Sequence, residues 1–266
     1  MKVKGKVFVV TGAGSGIGKE LSIQLVKMGA KVAMADIHED GMNEVARIVG
    51  KDNVSIHILN IADKERVEAF PKLVIQHHGT VDGIINNAGI IQPFIDVKDL
   101  DYEKIENIMN INFFGLVYMT KSFLPFLINR PEAHITNVSS MGGFIPFPGQ
   151  TVYGASKAAV KLFTEGLYAE LKNTNVGVTI ILPGAVNTNI MVNSGLEAVK
   201  DNKTDLQNSN KTLSAEKAAQ IIIEAIEKNK FRALVGKDAR MLDKFYRIHP
   251  RKAVDFITKQ MSKMKH

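Results

Sequence analysis

The chain contains no cysteine, which excludes disulfides and thiolate metal sites. Histidine offers no substitute. Among seven histidines only His77-His78 form a close pair, and adjacent helical residues point to different sides, so the pair reads as solvated rather than metal-bound. No metal is expected, and any chemistry has to proceed without zinc. Long apolar runs are missing too: no 18-residue stretch stands out as a membrane span, and Val7 to Val10 is far too short for a signal-peptide core. Cytoplasm is the expected location. Neither a low-complexity linker nor an internal repeat interrupts the 266 residues, 45% of them apolar, so one sizeable core is expected. Charge is unevenly placed. Residues 240–266 hold eight Lys or Arg against Asp243 and Asp255, most of the formal +7 of the whole chain. No nucleic-acid partner is expected.

What is present is concentrated in residues 140–157. Tyr153 follows Ser140 by thirteen residues, and Lys157 follows Tyr153 by four. On a helix, side chains four apart share a face, so the Lys157 ammonium can approach the Tyr153 phenol. A free tyrosine titrates at about 10, and a cation within about 4–6 Å favours the phenolate. Tyr153 is thereby expected to have a lowered pKa and to carry a proton in either direction. The Ser140 hydroxyl is suited to hydrogen-bond the oxygen that gains or loses it. Spacing favours Ser140 over its neighbour Ser139, which is the alternative.

Near the start, Lys6 to Val10 reads as a buried strand, Thr11-Gly12-Ala13-Gly14-Ser15-Gly16-Ile17-Gly18 as a turn, and Leu21, Leu25 and Met28 as one helical face. Strand, glycine turn and helix N-terminus together form a phosphate cradle, since glycines admit close backbone approach and the helix end presents unpaired N–H groups. The spacing Gly12-x-x-x-Gly16-x-Gly18 departs from the commoner G-x-G-x-x-G. A second strand, Lys31 to Asp36, ends in an acid eighteen residues past Gly18, the place for a ribose-binding carboxylate. Asp36 would repel a 2′-phosphate by about 4 kcal/mol at about 4 Å and an effective dielectric near 20. NAD is therefore expected over NADP, with Lys19 the one nearby cation and a solvated strand-end acid the plainer reading of Asp36.

Strands near 6–10, 31–36, 54–59, 81–86, 134–138, 176–182 and 231–235 alternate with helices near 17–28, 41–49, 64–77, 102–128, 153–172 and 215–228. Such alternation predicts an α/β fold: a doubly wound parallel seven-stranded sheet of Rossmann type with helices on both faces. Ligands in such folds bind outside the carboxyl ends of the strands, where Gly12, Asp36, Asn87, Ser140 and Pro183 fall. Residues 1–238 are read as a single dinucleotide-binding and catalytic domain, and 239–266 as a basic amphipathic extension.

With Asn86-Asn87-Ala88-Gly89, Asn112-Phe-Phe-Gly115 and Pro183-Gly184-Ala-Val-Asn-Thr188 added in the same order, the chain resembles the short-chain dehydrogenase/reductase family from about Lys6 to Gly236. The resemblance implies a catalytic tetrad of Asn112, Ser140, Tyr153 and Lys157, with Asn112 ordering a water and Lys157 also holding the nicotinamide ribose. It places Gly12, Ser15, Gly16, Ile17, Gly18, Asp36, Asn60, Ile61, Asn87, Ala88, Gly89, Pro183, Gly184, Val186 and Thr188 against NAD. Asn60 stands where many relatives carry an Asp. Bland alternatives exist: Asn86-Asn87 as a strand-end turn, Asn112 as a kink cap, Thr188 as a helix N-cap. The implied activity is NAD-dependent interconversion of a secondary alcohol and a ketone, or of an alcohol and an aldehyde. Reduction of a 3-oxoacyl carrier-protein thioester and a non-catalytic NAD-binding regulator are the alternatives. Relatives usually pair through helices near 102–128 and 153–172, so a homodimer or homotetramer is expected.

Two apolar loops, Ile90 to Ile95 and Phe144 to Pro148, suit a lipophilic small-molecule substrate. Phe94, Ile145, Phe147 and Met191 are its candidate contacts, with residues 189–213 a candidate lid. In the tail, Val254, Ile257, Met261 and Met264 recur at helical spacing among Lys252, Lys259, Lys263 and Lys265. That stripe either packs on its own domain or a partner subunit, or gives weak peripheral contact with an anionic membrane.

Overall fold

Five consecutive buried residues form the first strand, β1 (Val7–Thr11), the pattern of a strand covered on both faces. The computed structural model describes residues 1–196 and 212–262. After β1 come β2 (Lys31–Asp36), β3 (Val54–Ile58), β4 (Gly83–Asn86), β5 (Ala133–Val138), β6 (Val176–Pro183), the two-residue strands β7 (Val186–Asn187) and β8 (Leu213–Ser214), and β9 (Arg232–Val235). Seven of them form one parallel sheet in the order β3-β2-β1-β4-β5-β6-β9. The order reverses direction between β1 and β4, so their carboxyl ends open the crevice where ligands of such sheets bind. The expected doubly wound seven-stranded sheet is what forms.

The helices are α1 (Gly16–Lys27), α2 (Glu39–Val49), α3 (Lys64–His78), α4 (Tyr102–Met109), α5 (Leu116–Ile128), α6 (Thr151–Glu170), α7 (Ile190–Asn193), α8 (Ala215–Glu227), α9 (Lys237–Ile248) and α10 (Pro250–Ser262). One sheet face is covered by α1, α2 and α8 through Leu21, Leu25, Met42, Ile222 and Ile226. The other is covered by α3, α5 and α6 through Val67, Phe70, Phe123 and Leu167, with Phe70 and Phe123 in edge contact at 5.6 Å between ring centroids.

Three expectations need correction. Tyr102–Ile128 is continuous and, among the described residues, the one helix long and apolar enough by length and composition to cross a bilayer. Lys121 hides that run from inspection, and Met119, Phe123 and Leu127 spend it on the core. Within the same span Asn110–Gly115 is π-helical, a local widening that often marks functional sites. The histidine pair is not simply solvated. His77 is exposed, but His78 Nε2 lies 2.8 Å from Ser55 Oγ, which is also 2.7 Å from His57 Nε2, and burial lowers the His57 and His78 imidazoles to about 4.

The third correction concerns the tail, which is no separate extension. Arg232 on β9 donates from Nη1 and Nη2 to the two oxygens of Asp243 at 3.0 and 2.7 Å, fastening α9 to the sheet edge. Leu242, Ala253 and Ile257 are buried with Ile145, and Met261 packs beside them. Of the two readings of the stripe, packing on its own domain is the one observed, because burying it beside the apolar 144–147 loop removes both apolar surfaces from water at once. Met264, Lys263 and Lys265 lie outside the described residues, as does most of the candidate lid.

Candidate active site

At the carboxyl ends of β1 and β4 the glycine turn meets α1. Ser15 is the N-cap but makes no side-chain cap bond, and the first turn holds no acid, so the helix end keeps donors and positive potential for an anion. Gly16 adopts φ +51 with Thr188 Cγ2 at 3.2 Å from where a Cβ would stand. Gly18 does not line the cleft: a Cβ there would strike the Gly12 carbonyl, so this residue lets α1 sit on the turn. Thr11 Oγ1 accepts from Asn87 N and Ala88 N at 3.0 Å each, and Asn87 Nδ2 donates to Thr11 O at 3.0 Å. Asn87 thus binds the turn itself, as the strand-end reading allowed. Thr11 escaped the sequence reading, although a hydroxyl closing a strand before glycines was its available signal.

Asp36 is not merely solvated. Its Oδ2 accepts from Gly14 N at 2.8 Å and its Oδ1 from His38 N at 3.0 Å, so it orders the turn while still lining the cleft. Lys19 is occupied elsewhere, with Nζ 2.6 Å from Glu44 Oε1 on α2. Asn60 Oδ1 accepts from Ala62 N at 3.0 Å, a local turn that leaves Asn60 and Ile61 on the cleft wall.

Ser140, Tyr153 and Lys157 converge in the same cleft, of about 600 Å³. Ser139 Oγ donates to Lys157 O at 2.7 Å and is committed to packing, whereas Ser140 Oγ accepts from Gly142 N at 3.0 Å and, among the described residues, from no other donor. Between the two serines, geometry leaves Ser140 able to donate. The expected lowering of the phenol does not appear. Burial raises the Tyr153 pKa, and hydrogen bonding with Ser140 pulls it only part of the way back. Lys157 Nζ stands 6.0 Å from the ring centroid, donates to Val138 O at 3.2 Å, and is itself lowered by burial to about 8. Burial penalises a lone charge on either group, so the surroundings supplied by the protein favour the neutral phenol.

Asn112, set by the π-helical segment, uses its carboxamide on protein. Oδ1 accepts from Ile90 N at 2.8 Å, and Nδ2 donates to Ile90 O at 2.9 Å and Ser156 Oγ at 3.0 Å. It holds the loop after β4 beside Gly89, where both Asn112 Oδ1 and Lys157 Nζ approach. Two glutamines unmarked by the motifs complete the support. Gln92 Oε1 accepts from Tyr153 N at 2.9 Å and its Nε2 donates to Gly149 O at 2.7 Å, capping α6 where no local side chain does. Gln150 Nε2 donates to Gln92 O at 2.8 Å, while Gln150 Oε1, on the cleft wall, is buried with no partner among the described residues. A flipped amide would set oxygen against oxygen, so the unpaired atom is an acceptor.

Pro183, Gly184, Val186 and Thr188 line the far side, held by Asp238 Oδ2, which accepts from Ala185 N at 2.7 Å. Phe94 and Phe147 line the apolar end, joined by Met141 and, from α10, Met261. Ile145 does not: it is fully buried under α9 and α10. Met191 is also absent from the wall, because on α7 its neighbours Ile190 and Asn193 face the cleft instead. Asn193 Nδ2 donates to Ser15 Oγ at 2.7 Å, so α7 reaches across to the glycine turn.

These residues fit a nicotinamide dinucleotide: an anion-ready helix end, crowding at Gly12 and Gly16 that only glycine tolerates, and an acid at the end of β2. Residues 6–198 match the family model described as short chain dehydrogenase. A Mycobacterium tuberculosis protein named as the oxidoreductase SadH is 36% identical over 252 residues, covering 92% of this chain and 91% of that one. A short-chain dehydrogenase/reductase from Burkholderia phymatum in complex with NAD superposes with TM-score 0.83 at 25% identity, over 93% of this chain and 96% of that one. One from Burkholderia cenocepacia in complex with NADP gives 0.80 at 25% identity, over 97% and 99%. Sheet order, site geometry and these matches agree, and the chain belongs to the short-chain dehydrogenase/reductase family of oxidoreductases.

Proposed function

We propose that the protein interconverts a secondary alcohol and a ketone, or an alcohol and an aldehyde, with NAD as cofactor and an apolar small molecule as substrate. One observation carries the reading: Ser140, Tyr153 and Lys157 meet in one cleft that continues, past Thr188, to a glycine turn and Asp36. Bound NAD supplies the hydride acceptor. In oxidation Tyr153 takes the hydroxyl proton, Ser140 holds the same oxygen, and Lys157 offers the positive charge that makes a buried phenolate tolerable once substrate brings donors. Gln150 Oε1 is the acceptor for a donor on the substrate, since leaving it dry and unpaired costs about 1–3 kcal/mol. Asp36, with Lys19 paired to Glu44, supports NAD over NADP.

Phe94, Met141, Phe147 and Met261 favour a substrate with an apolar body. Exposed Tyr102, Phe114 and Leu162 are the side chains a homodimer would cover. The test is an assay of purified protein with NAD⁺ and NADP⁺ against short, long-chain and cyclic secondary alcohols. Turnover with NAD⁺ that is faster on long-chain or cyclic alcohols is expected. A preference for NADP⁺ would sink the cofactor assignment, and a preference for short alcohols would sink the apolar one.

A further inference from the structure

Burial of the Ala253, Ile257 and Met261 face turns the opposite side of the tail outward. On α9, Met241, Phe245 and Ile248 fall at i, i+4 and i+7, one helical stripe, and Phe245 meets Phe256 of α10 at 5.9 Å between ring centroids. Met241 is 55% exposed, Ile248 69% and Phe256 39%. Around them stand Arg240, Lys244, Arg247, Arg251, Lys252 and Lys259, all exposed. Acids that would neutralise the patch are turned away. Asp243 is taken by Arg232 and Arg247, Asp238 by Ala185 N, and among the described residues of α9 and α10 Asp255 alone remains exposed.

We propose that this outer face of α9 and α10 docks on an anionic lipid bilayer. An apolar stripe rimmed by Lys and Arg matches an interface of acyl chains beneath negative headgroups. A second copy of the chain is a poor occupant, because two faces of the same sign would oppose each other. Three partly exposed apolar side chains give a weak grip alone, so the charges are needed as well, and binding is reversible and salt-sensitive. Met261, on the inner face of the same hairpin, lines the apolar end of the cleft. Docking would therefore hold that end near the phase in which an apolar substrate dissolves.

Deleting the tail is an unsuitable test, since it would strip Asp243 from Arg232 and uncover Ile145. The full chain is instead sedimented with vesicles of phosphatidylcholine alone and of phosphatidylcholine with phosphatidylglycerol. Pelleting only with phosphatidylglycerol, reversed by salt, is expected. Lys244→Gln with Arg251→Gln should lower the partition coefficient about fivefold per charge, and Met241→Ser with Ile248→Ser should lower it too. None of the four residues lines the cleft, so turnover of a water-soluble alcohol should be unchanged in every variant, which keeps the outcome separate from the oxidoreductase reading. No vesicle binding, equal binding to both vesicle types, or variants that bind as wild type would each overturn the proposal. So would variants that lower the sedimenting mass of free protein, which would give the face to a second copy.

Discussion

The two ends of the cleft are built in different ways. At the glycine turn the site is built mainly of backbone, with N–H groups at the start of α1 and Cβ-free positions at Gly12 and Gly16, beside one carboxylate at the end of β2, all within residues 11–36. At the substrate end it rests on side chains from distant segments, with Phe94, Met141, Phe147, Gln150 and Met261 converging. The first arrangement admits one class of ligand, whereas the second can be re-cut by substitution without disturbing the sheet. Between them stand Ser140, Tyr153 and Lys157, which both ends must serve.

The sharpest test removes that shared centre. Tyr153→Phe deletes the proposed proton carrier and little packing, so kcat should fall by about 10²–10⁴ while NAD affinity measured by titration stays near wild type. A variant keeping more than about a tenth of wild-type kcat would break the comparison at its hinge.

Altering the backbone-built end through its one charge should matter next. Asp36→Ala is expected to shift kcat/KM toward NADP by about tenfold or more, from removal of a like charge near the 2′ position. The same change should also loosen the turn, since Gly14 N loses its acceptor. An unchanged NADP/NAD ratio would mean that Asp36 serves only the turn.

Gln92→Ala tests whether the substrate end also positions the centre. It leaves Tyr153 N and Gly149 O without partners, so thermal unfolding should reveal a loss of about 1–3 kcal/mol. A drop in kcat with unchanged NAD affinity would mark positioning, and Gln92→Glu, which keeps the acceptor for Tyr153 N, should recover more of it than Ala does. Met261→Ala should raise KM several-fold for a long apolar alcohol, at about 0.8 kcal/mol per lost methylene contact, and leave NAD binding alone.

The smallest effect is a slope. Burial lowers Lys157 to about 8 in the folded chain against about 10.4 unfolded, so between these values the unfolded chain binds the extra proton and stability rises with pH. The gain is lost as pH falls through about 8, at no more than about 1.4 kcal/mol per pH unit. Tyr153, raised by burial, acts oppositely above about 10. Chemical denaturation of cofactor-free protein across pH 8–10 should show a rising slope that Lys157→Met flattens.

Legibility followed sequence distance. The turn at 12–18, Asp36, and the set Ser140, Tyr153 and Lys157 are spaced by strand ends or single helical turns, so local periodicity sufficed. Gln92 is 57 residues from Gly149 and 61 from Tyr153, and Thr11 is 76 from Asn87, so neither pairing has a local pattern. Ile145 shows the converse, an apolar residue in a loop bordering the site whose side chain turns away. The direction of the phenol's pKa shift is hidden for a related reason, since a charge pair is visible in spacing but desolvation is a property of everything packed around it.

By itself the sequence determined the seven strands of the main sheet and the helices between them, the glycine turn, the acid beside it and the spacing of Ser140, Tyr153 and Lys157, because each depends on backbone geometry repeated every two or 3.6 residues. Only the tertiary structure decided which serine is free, that Asn112 and Asn87 spend their amides on the scaffold, and that the basic tail closes the substrate end while turning a second face to solvent. Those outcomes depend on which apolar surfaces and unpaired polar atoms meet across long stretches of chain, and burial of one face of an amphipathic helix is settled by the partner it finds.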